Sequence, residues 1–206
     1  MSAAPYLQAA EDLRPNDNQW EVYESDGNCV VLAGPGAGKT KTITVKIARL
    51  LDEDVRRPRR LACITYSNAC VSELRTRLKK LGVGDDDRIL ISTVHSFCMT
   101  ELVLPYARLA GIEVPEPLAV ASPSRSWDIF CKAYDQVLGG AAPRWFRLEC
   151  DKLRRTILDR NSEEWENWTK RETGVVDAYE KLLAEHGLID FDGMVLTGLA
   201  LVEKHE

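Results

Sequence analysis

The stretch Ala33-Gly34-Pro35-Gly36-Ala37-Gly38-Lys39-Thr40 decides how the rest of the chain is read. An apolar run, Cys29-Val30-Val31-Leu32-Ala33, leads into it, and a helical pattern from Thr42 to Leu51 leads out. Strand, glycine-rich loop, Lys-Thr and helix in that order is the context of a phosphate-binding loop. Glycines let the backbone curl so that its N–H groups turn inward toward phosphate oxygens. The N-terminus of the following helix adds its positive dipole end. The pattern assigns Gly34, Pro35, Gly36, Ala37 and Gly38 to the cradle, with Lys39 reaching the β- and γ-phosphates, Thr40 ligating Mg²⁺ and Lys41 next in line. Ala33 stands where the general pattern has its first glycine. The alternative, a plain Gly-rich turn, leaves the agreement of the spacing and both flanks unexplained. The expectation is a site for a nucleoside triphosphate.

The 206 residues suffice for one large α/β domain, or for a domain carrying a substantial insertion. A composition of 45% hydrophobic and 29% charged residues is that of a globular protein. The net charge of −5 excludes a uniformly basic coat but not a local nucleic-acid groove. Six cysteines without Cys-x-x-Cys spacing argue against a zinc site, and Cys29 and Cys63 lie in apolar runs. Free thiols suit a reducing compartment, and no apolar run reaches membrane-spanning length. The expectation is a cytoplasmic protein with no membrane partner.

Upstream of the loop, residues before Leu13 carry little pattern and read as a loosely docked arm. Asn16 or Asp17 then N-caps a short helix holding Gln19, Val22 and Tyr23. An amide such as that of Gln19 offers one donor and one acceptor edge, which matches N7 and N6 of adenine. Downstream, Arg56-Arg57-Pro58-Arg59-Arg60 reads as a solvated connector in preference to a phosphate-binding patch. Leu61–Tyr66 and Arg88–Thr93 are apolar enough for buried parallel strands. Between them Val71, Leu74, Leu78 and Leu81 mark one face of a helix from about 69 to 81. A helix carrying Leu102 and Leu104 follows the later strand until Pro105 disturbs it. Alternating strands and helices with short connections imply an α/β, doubly wound parallel arrangement.

The pattern changes near Gly111. Pro115, Pro117 and Pro123 suggest an extended connection, and helices follow from Arg125 onward. Trp127, Ile129, Phe130, Tyr134 and Val137 fit one face, Trp145, Leu148, Leu153, Ile157 and Leu158 a second helix, and Trp165 and Trp168 a third. These aromatics read as packing residues of a helical subdomain, with base stacking as the alternative. Val175 to His186 leads through Gly187 to Leu188-Ile189-Asp190-Phe191-Asp192 and a last apolar helix.

Taken in order, these segments resemble the superfamily 1 DNA helicases of the UvrD/Rep type. Leu13–Gln19 looks like that family's Q motif, with Gln19 as adenine reader, and Ala33–Thr40 like its motif I, which commonly opens on Ala. Thr65-Tyr66-Ser67-Asn68-Ala69 resembles motif Ia, although Cys70 follows where the motif has its Lys-Ala pair. Ser92-Thr93-Val94-His95-Ser96-Phe97 resembles motif Ib, with Val94 in place of an aromatic. Leu188–Asp192 resembles the segment that returns from the family's inserted subdomain, and Gly193 departs from it. The resemblance implies ATP and Mg²⁺ as cofactors, and single-stranded DNA contacts at Thr65, Tyr66, Asn68, Thr93 and His95. It implies a RecA-like P-loop sheet in subdomain 1A over residues 1–110, a mainly helical 1B insertion over 111–188, and a return helix over 189–206. The ends of the strands at Ala33, Tyr66 and Thr93 are expected on one rim, where open α/β sheets bind ligands.

ATP hydrolysis also requires a carboxylate pair at the end of another strand, an Asp for Mg²⁺ and a Glu to orient water. The strands at 61–66 and 88–93 contain neither residue, and Leu188-Ile189-Asp190 has no following Glu. The family's Asp-Glu-x-x-Asp motif is expected beyond Glu206. The expected function is therefore the ATP-binding front segment of a 3′–5′ DNA helicase. Its missing half would come from a second RecA-like domain or a completing partner, and alone it would neither hydrolyse ATP nor unwind duplex. The alternatives are a small P-loop nucleotide kinase, or a non-catalytic helicase-like binding module.

Overall fold

Two short apolar runs pair as parallel strands, β1 (Leu61–Thr65) and β2 (Ile89–Thr93), with Leu61 opposite Ile89 and Thr65 opposite Thr93. The computed structural model describes residues 5–156, 163 and 170–204, and the chain divides into two units, 1–94 and 95–206.

In the first unit β1 alternates, turning Leu61 and Cys63 inward while Ala62 and Ile64 stay exposed. Helix α3 (Lys39–Glu53) brings Ile47, Ala48 and Leu51 onto the covered side, and α4 (Asn68–Lys80) brings Leu74 and Leu78. Their spacings of three or four residues are what one apolar stripe requires. Ser67 caps α4 by accepting from Cys70 N at 3.2 Å. Arg88 donates through Nη1 to Leu51 O (2.7 Å) and Val55 O (2.9 Å), tying the C-terminal end of α3 to the start of β2. In the basic connector, Arg57 pairs with Asp87 at 2.7 Å on the surface.

Two expectations for this unit change. Pro5–Glu11 is a helix, α1, with Tyr6 and Ala10 buried, instead of a loosely docked arm. Four residues apart, these two side chains share one face, and the Tyr6 hydroxyl reaches Asp52 Oδ2 (3.1 Å) and Glu53 Oε1 (3.0 Å). Cys29–Ala33, expected as a strand, forms no regular element and is unpaired, with Val30 87% and Leu32 92% exposed. A strand exists through its ladder, and among the described residues no segment pairs with this run.

The second unit opens with a continuous helical stretch: α5 (Val94–Phe97), a π-helical segment (Cys98–Val103) and α6 (Leu104–Tyr106). Leu104 N–H bonds Met99 O, five residues back. Pro105 has no N–H to give, and the turn before it widens instead of breaking. Strand β3 (Ala119–Val120) pairs in parallel with β4 (Leu188–Ile189). Between these strands lie α7 (Pro123–Leu138), α8 (Arg144–Thr156) and α9 (Lys170–Glu185). Pro123 opens α7 behind the Ser122 cap instead of extending the connection before it. The final helix is α10 (Phe191–Lys204).

Ile129, Phe130 and Ala133 of α7 meet Phe146, Cys150 and Leu153 of α8 and Val175, Val176, Tyr179 and Leu183 of α9 in one core. The inward face of α8 differs from the expected one. Trp145 and Leu148 are 63% and 67% exposed, because the 146–150–153 stripe outranks them in burial. Val137 is likewise outward at 40%. The expected helical residues Ile157, Leu158, Trp165 and Trp168 lie outside the described residues.

A buried polar group closes this core. Arg154 forks onto Asp190, which also accepts from Tyr179 Oη at 2.8 Å and from Gly193 N at 2.8 Å. Burial alone would raise the Asp190 carboxyl, but the Arg154 hydrogen bonds and charge, with help from Gly193 and Tyr179, hold it down to about 2. The last contact explains the glycine at 193: a Cβ there would sit 2.9 Å from Asp190 Oδ1 and 3.0 Å from Ile189 Cγ1.

Candidate functional site

The loop 33–38 lies on the surface of the first unit, and α3 begins at its last turn. Gly38 caps α3 at φ 79° and Gly36 stands at φ 77°, a backbone region that residues with a Cβ rarely occupy. An added Cβ would meet nothing within 4 Å at Gly34 or Gly36, so the outer part of the loop is open. Lys39 folds back over it, its Nζ donating to Ala33 O and Gly34 O at 2.7 Å each. The ammonium thus bridges two carbonyls of its own loop. Thr40 is half-buried in the first turn of α3, and Lys41 pairs with Asp12 at 3.6 Å.

Helix α2 (Asp17–Glu24) stands against this loop. Asn16 caps it, its Oδ1 accepting from Gln19 N at 3.1 Å. At the other end Lys46 of α3 donates to Val22 O at 2.7 Å and to Ser25 Oγ at 2.7 Å, and also bonds Ser25 O. Burial pushes the Lys46 ammonium below its usual range, and the Cys29 thiol acts in the opposite sense. Arg14 lies over the Trp20 ring and Arg49 over Tyr23, at 4.2 and 4.8 Å from the ring centroids. Held at both ends, α2 presents Gln19, whose Nε2 donates to Ala37 O at 3.0 Å. Residue pattern alone did not foretell this contact, since eighteen positions separate the partners.

The residues expected to touch DNA separate by exposure. Thr65 ends β1 half-buried, directly opposite Thr93, which is buried at the end of β2. Tyr66 follows Thr65 and is 90% exposed, and Asn68 is exposed at the start of α4. In the second unit His95 is half-buried, and its ring meets Phe191 edge-on at 5.1 Å between centroids. Phe191 is itself 48% exposed. The sequence marked Phe191 only as part of the returning segment; an aromatic next to an acidic helix start gives no further local signal.

Among the described residues no group of three or more His, Cys, Asp or Glu side chains is placed to hold a metal ion. No helix among them is long and apolar enough to cross a membrane. Asp190, the nearest sequence imitation of a magnesium-binding carboxylate, is committed to Arg154, Tyr179 and Gly193.

The family model for the UvrD/REP helicase N-terminal domain matches residues 15–206. Over 195 residues the chain is 28% identical to the ATP-dependent DNA helicase PcrA of Staphylococcus aureus, a match covering 89% of this chain and 26% of that protein. The PcrA helicase of Staphylococcus epidermidis is 28% identical over 202 residues, covering 92% of this chain and 26% of its own length. The chain thus spans about a quarter of the length of these relatives. With the match taking in nearly every described residue, the chain belongs to the UvrD/REP helicase N-terminal domain family.

Proposed function

We propose that this chain is the ATP-binding front segment of an ATP-dependent 3′–5′ DNA helicase, and that by itself it binds nucleotide without turning it over. The carrying observation is the loop at 33–40, open on its outer side, with Lys39 Nζ held on two loop carbonyls and Gln19 beside it. In this reading Gly34–Gly38 wrap the triphosphate, Lys39 exchanges its carbonyl partners for phosphate oxygens, and Gln19 reads the adenine edge. The donor set fits Mg²⁺ only in company with the nucleotide: Thr40 offers one hydroxyl, and phosphates and water would complete the shell.

The proposed organisation is a RecA-like 1A part over about 1–110, a helical 1B part over about 111–188 and a returning segment over 189–206. Single-stranded DNA is the proposed partner. Tyr66 and Asn68 are its candidate contacts in the first unit, and His95 with Phe191 in the second, through stacking and backbone hydrogen bonds that tolerate any sequence. The walls at Thr65 and Thr93 support that reading less directly, being half-buried and buried. The rest of the helicase, including the second RecA-like domain, or a completing partner would supply the remaining catalytic groups.

Calorimetric titration with Mg·ATP tests the nucleotide reading. The wild-type chain is expected to bind, and Lys39→Ala to weaken binding at least 10-fold, as loss of a charge-assisted phosphate contact requires. Equal affinity of the two proteins would refute the site.

A further inference from the structure

The Gln19 side chain makes its hydrogen bond not to a neighbour in its own helix but to the peptide that joins Ala37 to Gly38. On its C-terminal side that peptide has Gly38, in the left-handed region at φ 79°, and on its N-terminal side Ala37. Lacking a Cβ, Gly38 restricts the orientation of that peptide less than any other residue would on its side. A trans peptide is planar, with its carbonyl and its N–H pointing in opposite directions. Whatever fixes the direction of the Ala37 carbonyl therefore also fixes that of the Gly38 N–H, on the opposite edge of the peptide.

Gln19 is built to be that holder. Its Nε2 lies 3.0 Å from Ala37 O, and the Cβ position of Gly38 is only 2.7 Å from the same nitrogen. The amide thus rests directly over the turn, in space that any larger residue at 38 would claim. Its own helix cannot drift, because Asn16 caps one end and Lys46 ties the other to α3.

We propose that Gln19 is a positioning residue for phosphate binding, fixing the Ala37–Gly38 peptide so that the Gly38 N–H faces the phosphates, in addition to any contact it makes with the base. This rests on the reading of residues 33–40 as a phosphate loop. It also makes base recognition and loop geometry properties of one side chain. Nε2 carries two protons, one for Ala37 O and one for N7 of adenine, while Oε1 accepts from N6. Guanine presents acceptors at both edge positions, so satisfying it would require the amide to rotate and release the loop.

The test removes the base. Inorganic tripolyphosphate with Mg²⁺ contains the phosphates and nothing for an adenine reader to recognise. The 206-residue chain and its Gln19→Met and Gln19→Ala variants are titrated with Mg·tripolyphosphate and with Mg·ATP, after circular dichroism shows equal folding. Methionine keeps the volume over Gly38 and deletes the amide. Both variants are expected to bind tripolyphosphate roughly 3- to 10-fold more weakly, the contribution of one neutral hydrogen bond. Unchanged tripolyphosphate affinity beside weakened ATP affinity overturns the proposal and leaves Gln19 a reader of the base alone.

Amide hydrogen exchange of residues 36–39 without ligand provides a second measurement. Faster exchange in the variants supports the holding role, and equal exchange overturns it. A wild-type chain that binds neither ligand would dispose of the phosphate site itself, and the exchange comparison would still decide whether Gln19 holds the peptide.

Discussion

Arg154 and Asp190 meet as a fork on a carboxylate, Nη1 to Oδ2 at 2.7 Å and Nη2 to Oδ1 at 3.0 Å, with both side chains almost wholly withdrawn from solvent. The pair joins α8 to the start of α10, and Glu180 of α9 takes the Arg154 Nε at 3.0 Å. One arginine thus binds three segments of the helical unit. Removing one member of such a pair leaves the other charge buried without its partner, at a cost of roughly 3 to 5 kcal/mol. Asp190→Asn is therefore expected to destabilise the chain by about that amount in urea melts. A loss below about 1 kcal/mol would show that the pair can be dispensed with.

The same pair sets a response to acid. Folding lowers the Asp190 carboxyl from an ordinary 3.8 to about 2 against the pull of burial. A depressed carboxyl contributes stability that is complete above its unfolded pKa and lost as the pH falls through the folded one. Wild-type stability should decline between about pH 4 and pH 2, and Asp190→Asn should remove part of that slope. Parallel acid titrations of unfolding, followed by tryptophan fluorescence, measure the difference; identical slopes would count against it.

Catalytic turnover is expected to be absent from the isolated chain. Strands β1 and β2 carry no Asp or Glu, and Asp190 is occupied by Arg154. A phosphate-release assay with saturating Mg·ATP and oligo(dT) should stay at background while binding persists. DNA-stimulated release that repeats over many cycles would contradict the proposed division of labour.

Tyr66 offers nearly all of its ring to solvent, and no ring partner holds it among the described residues. Tyr66→Ala should leave the melting temperature within experimental error, because exposed side chains contribute little to stability. It should weaken oligo(dT) binding by the equivalent of about 1 to 3 kcal/mol, the worth of one stacked base. Fluorescence anisotropy gives the affinity, and an unchanged value would exclude the ring from the interface.

The cysteines sort by environment. Burial pushes the Cys150 thiol up to about 12, with Glu172 and Asp151 adding to it, and burial also raises Cys98. Cys29 and Cys70 are exposed. Maleimide at pH 8 should label Cys29 and Cys70 within minutes and reach Cys98 and Cys150 only on unfolding. Mass mapping of the labelled peptides reads this directly.

Much of the first unit was legible because its signals are local. The 47–51 and 74–78 spacings, the apolar run at 61–65 and the Asn16 cap all act within a turn or a strand, whereas the exposure of Ala62 and Ile64 on one face of β1 was not legible in that run. The strand expected at 29–33 failed for a non-local reason, since an apolar run acquires a ladder only from another segment. Helix α8 misled by offering two competing faces; Trp145 and Leu148 are large enough to read as core, but the smaller Cys150 continues the buried stripe. The pairs Gln19–Ala37 and Arg154–Asp190 span 18 and 36 positions, beyond the reach of any periodicity. Residue pattern located the loop and the resemblance gave the order of the motifs, while the hold of α2 on the loop is a long-range contact that neither contains.

One feature of the helical unit bears on how its helices are held together. The β3–β4 pair brings residues 119–120 and 188–189 side by side, and Lys204 reaches back to Ala110 O at 2.8 Å. Departure and return are therefore stitched together at a single neck, and what lies between forms a loop closed at its base. Because Arg154 of α8 forks onto Asp190 beside β4, the helices in that loop are held to the neck itself and not only to one another.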